Sequence, residues 1–368
     1  MSSKTPKVAL VYDRVNKIGG AERVLLSLHN IFPDAPIFTL VHDKAAAKWA
    51  TGIQIIPTFL NKIPLLRTRH EWLAPIAPMA FESLDLGGFD VVISVTSGDA
   101  KSVITRPNQL HICYCLTPTR YFWSGEGEYS KDKKMRILPS LLKKYFCTID
   151  LLTSSRPDHY ISISSEVQRR VKKYYNRDSK IIFPPIEDKF YSKKTISSDN
   201  RDYYLSVGRL VPYKKVHLTV LAFNKLKLPL IVVGIGSEME KLKKIALSNI
   251  SFVGDVDDTR LSEFYRYAKA VIFPQEEDFG IVPLEAQASG TPVIAFAKGG
   301  ALETVLSNKT GVFFADQTVK SLADAVQQFE KIAVKPDDCI ANAQKFTDAI
   351  FHQKMKATVL DLWQNHKQ

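Results

Sequence analysis

The chain has 368 residues, a formal net charge of +12, 45% hydrophobic and 24% charged residues. This length allows two domains with separate cores, and the composition is that of a folded protein rather than a disordered one. The sequence has neither an apolar run near the roughly 20 residues of a membrane span nor a signal-peptide core, so we expect a cytoplasmic protein. Its four cysteines match neither a disulfide framework nor a zinc site.

Most of the positive charge lies in the first half. Residues 1–185 hold 26 Lys and Arg against 16 Asp and Glu, which places +10 of the +12 there. Basic and apolar residues are mixed in segments 59–86 and 131–144. Such segments suit contact with an anionic membrane surface, although ordinary helices with one charged face in water explain each residue equally well. No nucleic-acid-binding signature accompanies the charge.

The first half reads as alternating strands and helices of a parallel sheet. Residues 8–12 predict a buried strand, and a loop ending in Gly19 and Gly20 leads into a helix. Two further strands are followed by loops that carry Asp99, and Arg120 with Tyr121. Ligands collect where parallel strands end, so these three residues are candidate acceptor contacts in a cleft. His111 lies inside a predicted strand, and we expect it in the core.

The second half repeats this pattern after the pair Pro184-Pro185 and a polar stretch over 186–200. A strand over 203–207 ends in Gly208 and Arg209, with Lys214 five residues further on. Alone, an Arg and a Lys on a loop are usually solvated. Asp255 and Asp257 form an Asp-x-Asp pair that could bind Mg²⁺, but they precede a predicted helix, which favours helix capping. We therefore expect no metal.

Residues 270–296 predict a strand, a polar loop, a helix from 281 to 289 and a second strand. A helix that begins at such a loop leaves backbone N–H groups without intrahelical partners beside the positive end of its dipole. These groups come from Phe279, Gly280, Ile281 and Val282. The segment therefore predicts an anion site, and a diphosphate held between two sugars fits it.

Two carboxylates flank this anion site. Glu277 lies in the loop and Glu285 in the helix, with seven residues between them. Carboxylates repel phosphate, so we expect both to accept hydrogen bonds from sugar hydroxyls, Glu285 from a ribose and Glu277 from a transferred sugar. The plainer alternative is a group of acids favoured by the helix dipole.

The spacing of these two glutamates, the Phe-Gly between them and the Gly-Thr-Pro-Val-Ile that follows resemble the signature of family four of the retaining glycosyltransferases, also called group 1 glycosyltransferases. The amino-acid sequence over 276–305 is most similar to the GDP-mannose-dependent mannosyltransferases of O-antigen and other surface-glycan biosynthesis. The resemblance implies the GT-B fold, an α/β architecture of two Rossmann-like domains facing across a cleft.

The resemblance also implies domain bounds. An acceptor-binding domain spans 1–185, a linker 186–200, a nucleotide-sugar-binding domain 201–345, and a C-terminal helix over 346–368 crosses back to the first domain. Within the first domain, Leu116 stands where the family has a histidine near the donor sugar. This departure puts the placement of the donor sugar and any acid-base role there in doubt.

The family's motifs imply a catalytic role for Arg209, Lys214 and Glu277, with the two cations holding the donor diphosphate. The implied donor contacts are Gly19, Gly20, Gly208, Arg209, Lys214, Gly254, Glu277, Phe279, Gly280, Ile281, Val282 and Glu285.

The sequence thus predicts transfer of a sugar, with mannose from GDP-mannose as the leading choice, to a saccharide acceptor that is lipid-linked, for example through polyprenyl diphosphate. Neither a metal nor another cofactor is expected. The protein is expected on the cytoplasmic face of the plasma (inner) membrane, bound peripherally through its first domain. The alternatives are another GT-B enzyme, such as a sugar-nucleotide epimerase or a phosphorylase, and a non-catalytic partner that binds nucleotide sugar.

Overall fold

The computed structural model describes residues 5–68, 75–123, 140–191 and 201–367. The chain forms two compact units, Met1–Pro184 with Phe351–Gln368, and Pro185–Ile350. Each unit is a parallel β-sheet with helices, so the predicted α/β architecture of two Rossmann-like domains is confirmed. Among the described residues, no helix is both long and apolar enough to span a bilayer.

The first unit contains a seven-stranded sheet of order β3-β2-β1-β4-β5-β6-β7, in which every pairing is parallel. Val8–Tyr12, an interior strand of this sheet, is fully buried because both faces of a parallel sheet are covered. The strands are β1 (Val8–Tyr12), β2 (Ile37–Thr39), β3 (Ile55–Pro57), β4 (Val91–Thr96), β5 (Leu110–Cys115), β6 (His159–Ser162) and β7 (Ser179–Ile181). The helices are α1 (Gly20–Ile31), α2 (Pro64–Thr68), α3 (Ala77–Glu82), α4 (Arg120–Trp123), α5 (Ser140–Thr153) and α6 (Ser165–Tyr175).

The second unit contains a six-stranded parallel sheet of order β10-β9-β8-β11-β12-β13. Tyr204, Phe223 and Leu322 belong to the core that covers one of its faces. The strands are β8 (Tyr203–Val207), β9 (Leu230–Val233), β10 (Ile250–Gly254), β11 (Ala268–Phe273), β12 (Val293–Phe296) and β13 (Gly311–Phe314). The helices are α7 (Val216–Leu226), α8 (Met239–Ile245), α9 (Asp258–Tyr267), α10 (Ile281–Ala288), α11 (Ala301–Thr304), α12 (Val319–Phe329) and α13 (Pro336–Ala343).

The last helix, α14 (Asp348–His366), packs on the first unit, as predicted for a helix that crosses back. Its Phe351 ring meets Tyr114 of β5 edge-on at 5.9 Å between ring centroids. Its His352 ring lies 2.9 Å from the Ser27 hydroxyl on α1. The helix begins two residues later than predicted, because Gln344–Phe346 form a separate 3₁₀ turn.

The predicted linker is ordered in its first part. The backbone N–H of Ile186 donates to the Phe346 carbonyl at 2.8 Å, and Phe190 is fully buried. Residues 186–191 therefore belong to the second unit rather than to a linker, and residues 192–200 lie outside the described chain.

Each sheet has one point where the strand order reverses, between β1 and β4 in the first unit and between β8 and β11 in the second. The loops leaving these two strands diverge, which opens a crevice at the carboxyl ends, the usual ligand site of such sheets. In the second unit this point lies between Gly208 and Pro274. The predicted cationic loop and the predicted glutamate loop therefore start at neighbouring strand ends.

Candidate functional site

The centre of the candidate site is an ion pair between the loops that follow β8 and β11. Lys214 ends the short 3₁₀ turn Pro212–Lys214, and its Nζ contacts Glu277 Oε1. The two side chains are only 14% and 23% exposed. Residues that are 63 positions apart in sequence thus meet at the point where the strand order reverses.

Arg209 lies beside this ion pair in sequence and shares an aromatic neighbour with it. The exposed Arg209 side chain donates from Nη2 to the Tyr213 hydroxyl at 2.7 Å. The Arg209 guanidinium and Lys214 Nζ lie 5.9 and 5.4 Å from the centroid of the Tyr213 ring. A ring near two cations stabilises both through its π-electron face. Sequence reasoning missed Tyr213, whose only signal was an aromatic residue between the two basic ones.

The glycines after β9 support the loop that carries Arg209. A Cβ at Gly234 would lie 2.0 Å from the Gly208 carbonyl oxygen, and one at Gly236 would lie 2.3 Å from that of Leu210. Gly234 also has a φ of 132°, which side chains rarely adopt. The backbone around Arg209 is therefore fixed by close approach of the neighbouring loop. Gly254, with a φ of 85°, ends β10. Its carbonyl accepts a 2.7 Å hydrogen bond from the Gly234 N–H.

The helix that follows Glu277 begins as predicted. Gly280 has a φ of 95° and is the N-cap of α10, without a side-chain cap. Phe279 is buried against the Phe346 ring at 5.9 Å between centroids, while Ile281 and Val282 are half-buried. The first turn of α10 points its N–H groups and the positive end of its dipole toward the loop that carries Glu277.

A second glycine loop holds the Glu277 loop from behind. The Gly300 N–H donates to the Glu277 carbonyl at 2.8 Å. A Cβ at Gly299 would lie 2.3 Å from that carbonyl oxygen, and one at Gly300 would lie 2.1 Å from the Phe279 carbonyl oxygen. Only residues without side chains allow this contact, so the loop from 298 to 300 sets the position of Glu277.

Glu285 differs from Glu277 in its surroundings. Its side chain is buried on α10, and Oε2 accepts a 2.8 Å hydrogen bond from the hydroxyl of Tyr265, which is itself fully buried. No sequence pattern pointed to Tyr265, which reaches Glu285 from α9. The predicted contact of Glu285 with a ribose stays a prediction.

The Asp-x-Asp pair acts as a helix cap. Asp257 is the N-cap of α9, and its Oδ1 accepts from the Arg260 N–H at 2.8 Å. The capping interpretation is therefore confirmed for Asp257. Within the described ranges, no group of three His, Cys, Asp or Glu side chains is arranged to hold a metal ion.

In the first unit, Asp13 joins the ends of β1 and β4, the two strands between which the strand order reverses. Sequence reasoning missed this residue. This buried carboxylate directly follows β1 and accepts from the Thr96 hydroxyl at 2.7 Å. It also accepts from the backbone N–H groups of Ser97 at 2.8 Å and Ala100 at 3.0 Å. Asp13 thereby shapes the loop that carries Asp99. An acid immediately after a buried strand was its only sequence signal.

Asp99 lies half-buried in this loop. Burial raises its pKa to about 7, and the nearby Asp13 carboxylate adds to the rise, while the Lys101 ammonium opposes it. Arg120 begins α4 and is half-buried, while the side chain of Tyr121 lies outside the described atoms. The structure thus places Asp99 in the loop after β4, and Arg120 at the start of α4, after the adjacent strand β5.

The predicted glycine loop ends where α1 begins. Gly19 is the N-cap with extended backbone, and Gly20 is the first helical residue. A Cβ at Gly19 would lie 3.2 Å from Oε2 of Glu22, a buried carboxylate that accepts from the Tyr12 hydroxyl at 2.6 Å. The loop is therefore packed closely against a polar interior.

Two further predictions concern β5. His111 is fully buried, with Nε2 2.9 Å from the Ser94 hydroxyl, and burial lowers its pKa to about 3, so its predicted core position is confirmed. Leu116, just after the strand, is also buried, and its N–H donates to the Thr96 carbonyl at 2.9 Å. A leucine at this position offers a ligand no polar side-chain atom.

Comparison with known proteins gives a family match for the second unit. Residues 187–346 match the model of the family described as glycosyl transferases group 1. This part of the chain is therefore similar to the group 1 glycosyltransferase domain. It contains the Lys214–Glu277 pair, Arg209 and the first turn of α10.

Three relatives extend the comparison. An uncharacterised glycosyltransferase of Methanocaldococcus jannaschii is 28% identical over 277 residues, which are 70% of this chain and 71% of the relative. A GDP-mannose-dependent alpha-(1-6)-phosphatidylinositol monomannoside mannosyltransferase of Mycobacterium tuberculosis is 33% identical over 37% of this chain and 40% of its own. The O-antigen chain mannosyltransferase RfbU of Salmonella typhimurium is 26% identical over 53% and 60%. Both mannosyltransferases are thus matched over less than two thirds of their length.

The whole glycosyltransferase fold has solved counterparts. The crystal structure of HepE from Anabaena in complex with UDP has a TM-score of 0.71 and 18% sequence identity. The alignment covers 96% of this chain and 99% of HepE. At this identity the likeness establishes the fold.

Proposed function

We propose that this glycosyltransferase transfers mannose from GDP-mannose to a saccharide acceptor with retention of anomeric configuration. The observation that carries the proposal is the Lys214–Glu277 ion pair at the carboxyl ends of β8 and β11, next to Arg209 and the first turn of α10. It supplies both cations for a diphosphate and a carboxylate for sugar hydroxyls within one small region.

The roles follow from the charge that develops during transfer. Breaking a bond between a sugar and a phosphate leaves negative charge on the diphosphate, and cations already in place stabilise this charge more in the transition state than in the ground state. We assign this task to Arg209 and Lys214, together with the N–H groups at Gly280. Glu277, oriented by Lys214, accepts hydrogen bonds from the transferred sugar.

Because Glu277 is held by Lys214, we favour attack on the same face over a covalent intermediate on this carboxylate. The acceptor oxygen then forms the new glycosidic bond as the bond to the diphosphate breaks. The proton of the acceptor hydroxyl passes to an oxygen of the leaving diphosphate. The two cations meet the charge of the leaving group, so we propose no metal or cofactor.

The donor and the acceptor are proposed from the names of the relatives. One is GDP-mannose-dependent and acts on a phosphatidylinositol mannoside, and another is an O-antigen chain mannosyltransferase. These names support GDP-mannose and a lipid-linked saccharide, for example one on polyprenyl diphosphate, as the substrates.

A lipid-linked acceptor suits a peripheral position on the cytoplasmic face of the membrane. In the first unit, Phe59, Ile63, Leu65 and Met79 are exposed apolar side chains in the segment that is rich in basic residues. Exposed apolar groups beside cations favour an anionic lipid surface. The second predicted basic segment, 131–144, lies mostly outside the described residues.

The proposal is tested by incubating the protein with labelled GDP-mannose or UDP-glucose and a panel of saccharides, in buffer with and without EDTA. We expect elongation of a saccharide by mannose, an α-linkage from the α-configured donor by NMR, and equal rates with EDTA. Elongation from UDP-glucose alone would contradict the donor, and a β-linkage would contradict retention. Release of sugar phosphate without elongation would indicate a phosphorylase instead.

A further inference from the structure

The first unit contains a buried ion pair that the proposed chemistry does not use. Lys101 Nζ lies 2.6 Å from Asp150 Oδ1, and the two side chains are 2% and 1% exposed. Lys101 belongs to the short turn Ala100–Ser102 after β4, and Asp150 lies on α5. Burial lowers the pKa of Lys101, but the carboxylates of Asp150 and Asp99 outweigh this effect and raise it, so the lysine is charged.

Asp150 is bonded at every acceptor position that a carboxylate offers. Besides Lys101, Oδ1 accepts from the Thr119 hydroxyl at 2.8 Å. Its Oδ2 accepts from Trp123 Nε1 at 2.5 Å and from the Tyr175 hydroxyl at 2.9 Å. Thr119 and Trp123 stand on either side of the Arg120 and Tyr121 positions, so this one carboxylate holds both ends of α4.

Lys101 connects the Asp150 carboxylate to the loop that follows β4. Its Nζ also donates to the Gly98 carbonyl at 2.6 Å, immediately before Asp99. The ring of Tyr175 lies 5.5 Å from Nζ and packs beside the pair. The loop with Asp99, after β4, and the segment with Arg120, after β5, are therefore joined through one ion pair.

The cost of burying the Lys101–Asp150 pair indicates that its role is to fix the positions of the groups bonded to it. Taking two charges out of water is costly, and a buried pair commonly stabilises a fold no better than apolar residues of similar size. What such a pair provides is a fixed arrangement of the groups bonded to it, because each of its hydrogen bonds has a direction and a length. Here those groups are the two loops that carry the candidate acceptor contacts.

We propose that Lys101 and Asp150 are a positioning pair for the saccharide acceptor, holding Asp99 and Arg120 in the spacing that receives it. The proposal rests on the proposed function, which places the acceptor on the first unit. It assigns no contact with substrate to Lys101 or Asp150 themselves.

The test separates positioning from stability with two variants. Asp150→Asn leaves the Lys101 charge buried without its carboxylate and should lower the melting temperature. Lys101→Met combined with Asp150→Asn removes both charges and keeps an amide oxygen for Tyr175 and Trp123, so part of the lost stability should return. The hydrogen bond from Lys101 to the Gly98 carbonyl is not restored in this variant.

The kinetic readout uses the saccharide that the wild-type protein elongates in the assay above, with octyl mannoside as the first probe. For the double variant, we expect the acceptor KM to rise at least tenfold, while the KM of GDP-mannose changes less than twofold. Glu166→Gln, which breaks an ion pair with Arg170 on α6, is the matched control and should leave both KM values unchanged.

Hydrogen exchange supplies a readout that needs no turnover. In the double variant, amides in 97–102 and 117–123 should both exchange faster, whereas the Glu166→Gln protein should match wild type. A double variant with a wild-type acceptor KM, or with faster exchange in only one of the two loops, would overturn the proposal. Absence of elongation by the wild-type protein would instead remove the proposed function.

Discussion

Lys214 and Glu277 place a cation and a carboxylate in contact in the second unit. They come from loops that are far apart in sequence, and the family-like spacing of each motif predicts that both serve one donor site. Tyr213, Tyr265 and Asp13 could not be predicted. Tyr265 and Asp13 act through hydrogen bonds between separate elements, and the bond of Tyr213 with Arg209 depends on the conformation of the loop after β8. No pattern of residue types encodes such contacts.

At this scale, Glu277→Gln and Lys214→Met should each lower kcat/KM by about 100-fold or more, since each removes a charge aimed at the reacting groups. The free energy of unfolding should fall by about 1–3 kcal/mol, because each substitution removes one charge of a pair whose side chains are mostly buried. Steady-state kinetics and urea unfolding measure the two effects.

The matched control is Lys172→Met, which breaks a solvated pair with Asp178 on the first unit and should affect neither quantity. Near-normal kcat/KM in both the Glu277 and the Lys214 variants would remove the site assignment.

Asp99 carries a prediction about pH. Its pKa is about 7 in the folded protein and 3.8 as an ordinary carboxyl, so the folded state keeps a proton that the unfolded state has lost between these values. The stability contributed by Asp99 is therefore complete below about pH 4 and is lost as the pH rises through 7. Asp99→Asn should stabilise the protein relative to wild type at pH 8 and much less at pH 5.

Urea unfolding at the two pH values measures this difference. A stability difference between Asp99→Asn and wild type that stays constant from pH 5 to pH 8 would show that Asp99 titrates normally.

At the scale of elements, apolar runs and glycine positions carried most of the information. The strand over 293–296 and the start of α10 at Ile281 were predicted from the sequence, because burial and a helix stop at Gly290 are local signals. The role of Gly234 and Gly236 was missed. Their contacts with Gly208 and Leu210 depend on strand order, which places β9 beside β8.

The glycine loop behind Glu277 gives an element-scale prediction. Gly300 has an ordinary helical φ of −63°, so alanine there is opposed only by the 2.1 Å approach to the Phe279 carbonyl. Gly300→Ala should cost about 1–3 kcal/mol of unfolding free energy and weaken GDP binding, because the Glu277 loop must move.

Gly88→Ala is the control, since a Cβ there meets nothing within 4 Å. Calorimetric titration with GDP and urea unfolding of both glycine variants would test this prediction. Equal behaviour of the two variants would show that the close approach does not position Glu277.

At the scale of the whole molecule, the sequence predicted two parallel-sheet domains and a final helix that returns to the first. The repeated alternation of strands and helices carried the first prediction. The crossing helix came from the family resemblance, and α14 now shows its physical basis, with Phe351, Met355, Val359 and Trp363 buried. The uneven charge did not decide between a membrane-binding surface and solvated helix faces, because the two have the same composition.

The most direct test of the central claim is thermal unfolding of wild type and Lys214→Met with GDP, UDP, ADP or dTDP in EDTA. A nucleotide at about 100 times its dissociation constant stabilises the folded state by roughly 2.7 kcal/mol. We expect GDP to raise the melting temperature of the wild-type protein and to have little effect on Lys214→Met. Stabilisation by no nucleotide, or equal stabilisation of both proteins, would contradict a donor site built around Lys214 and Glu277.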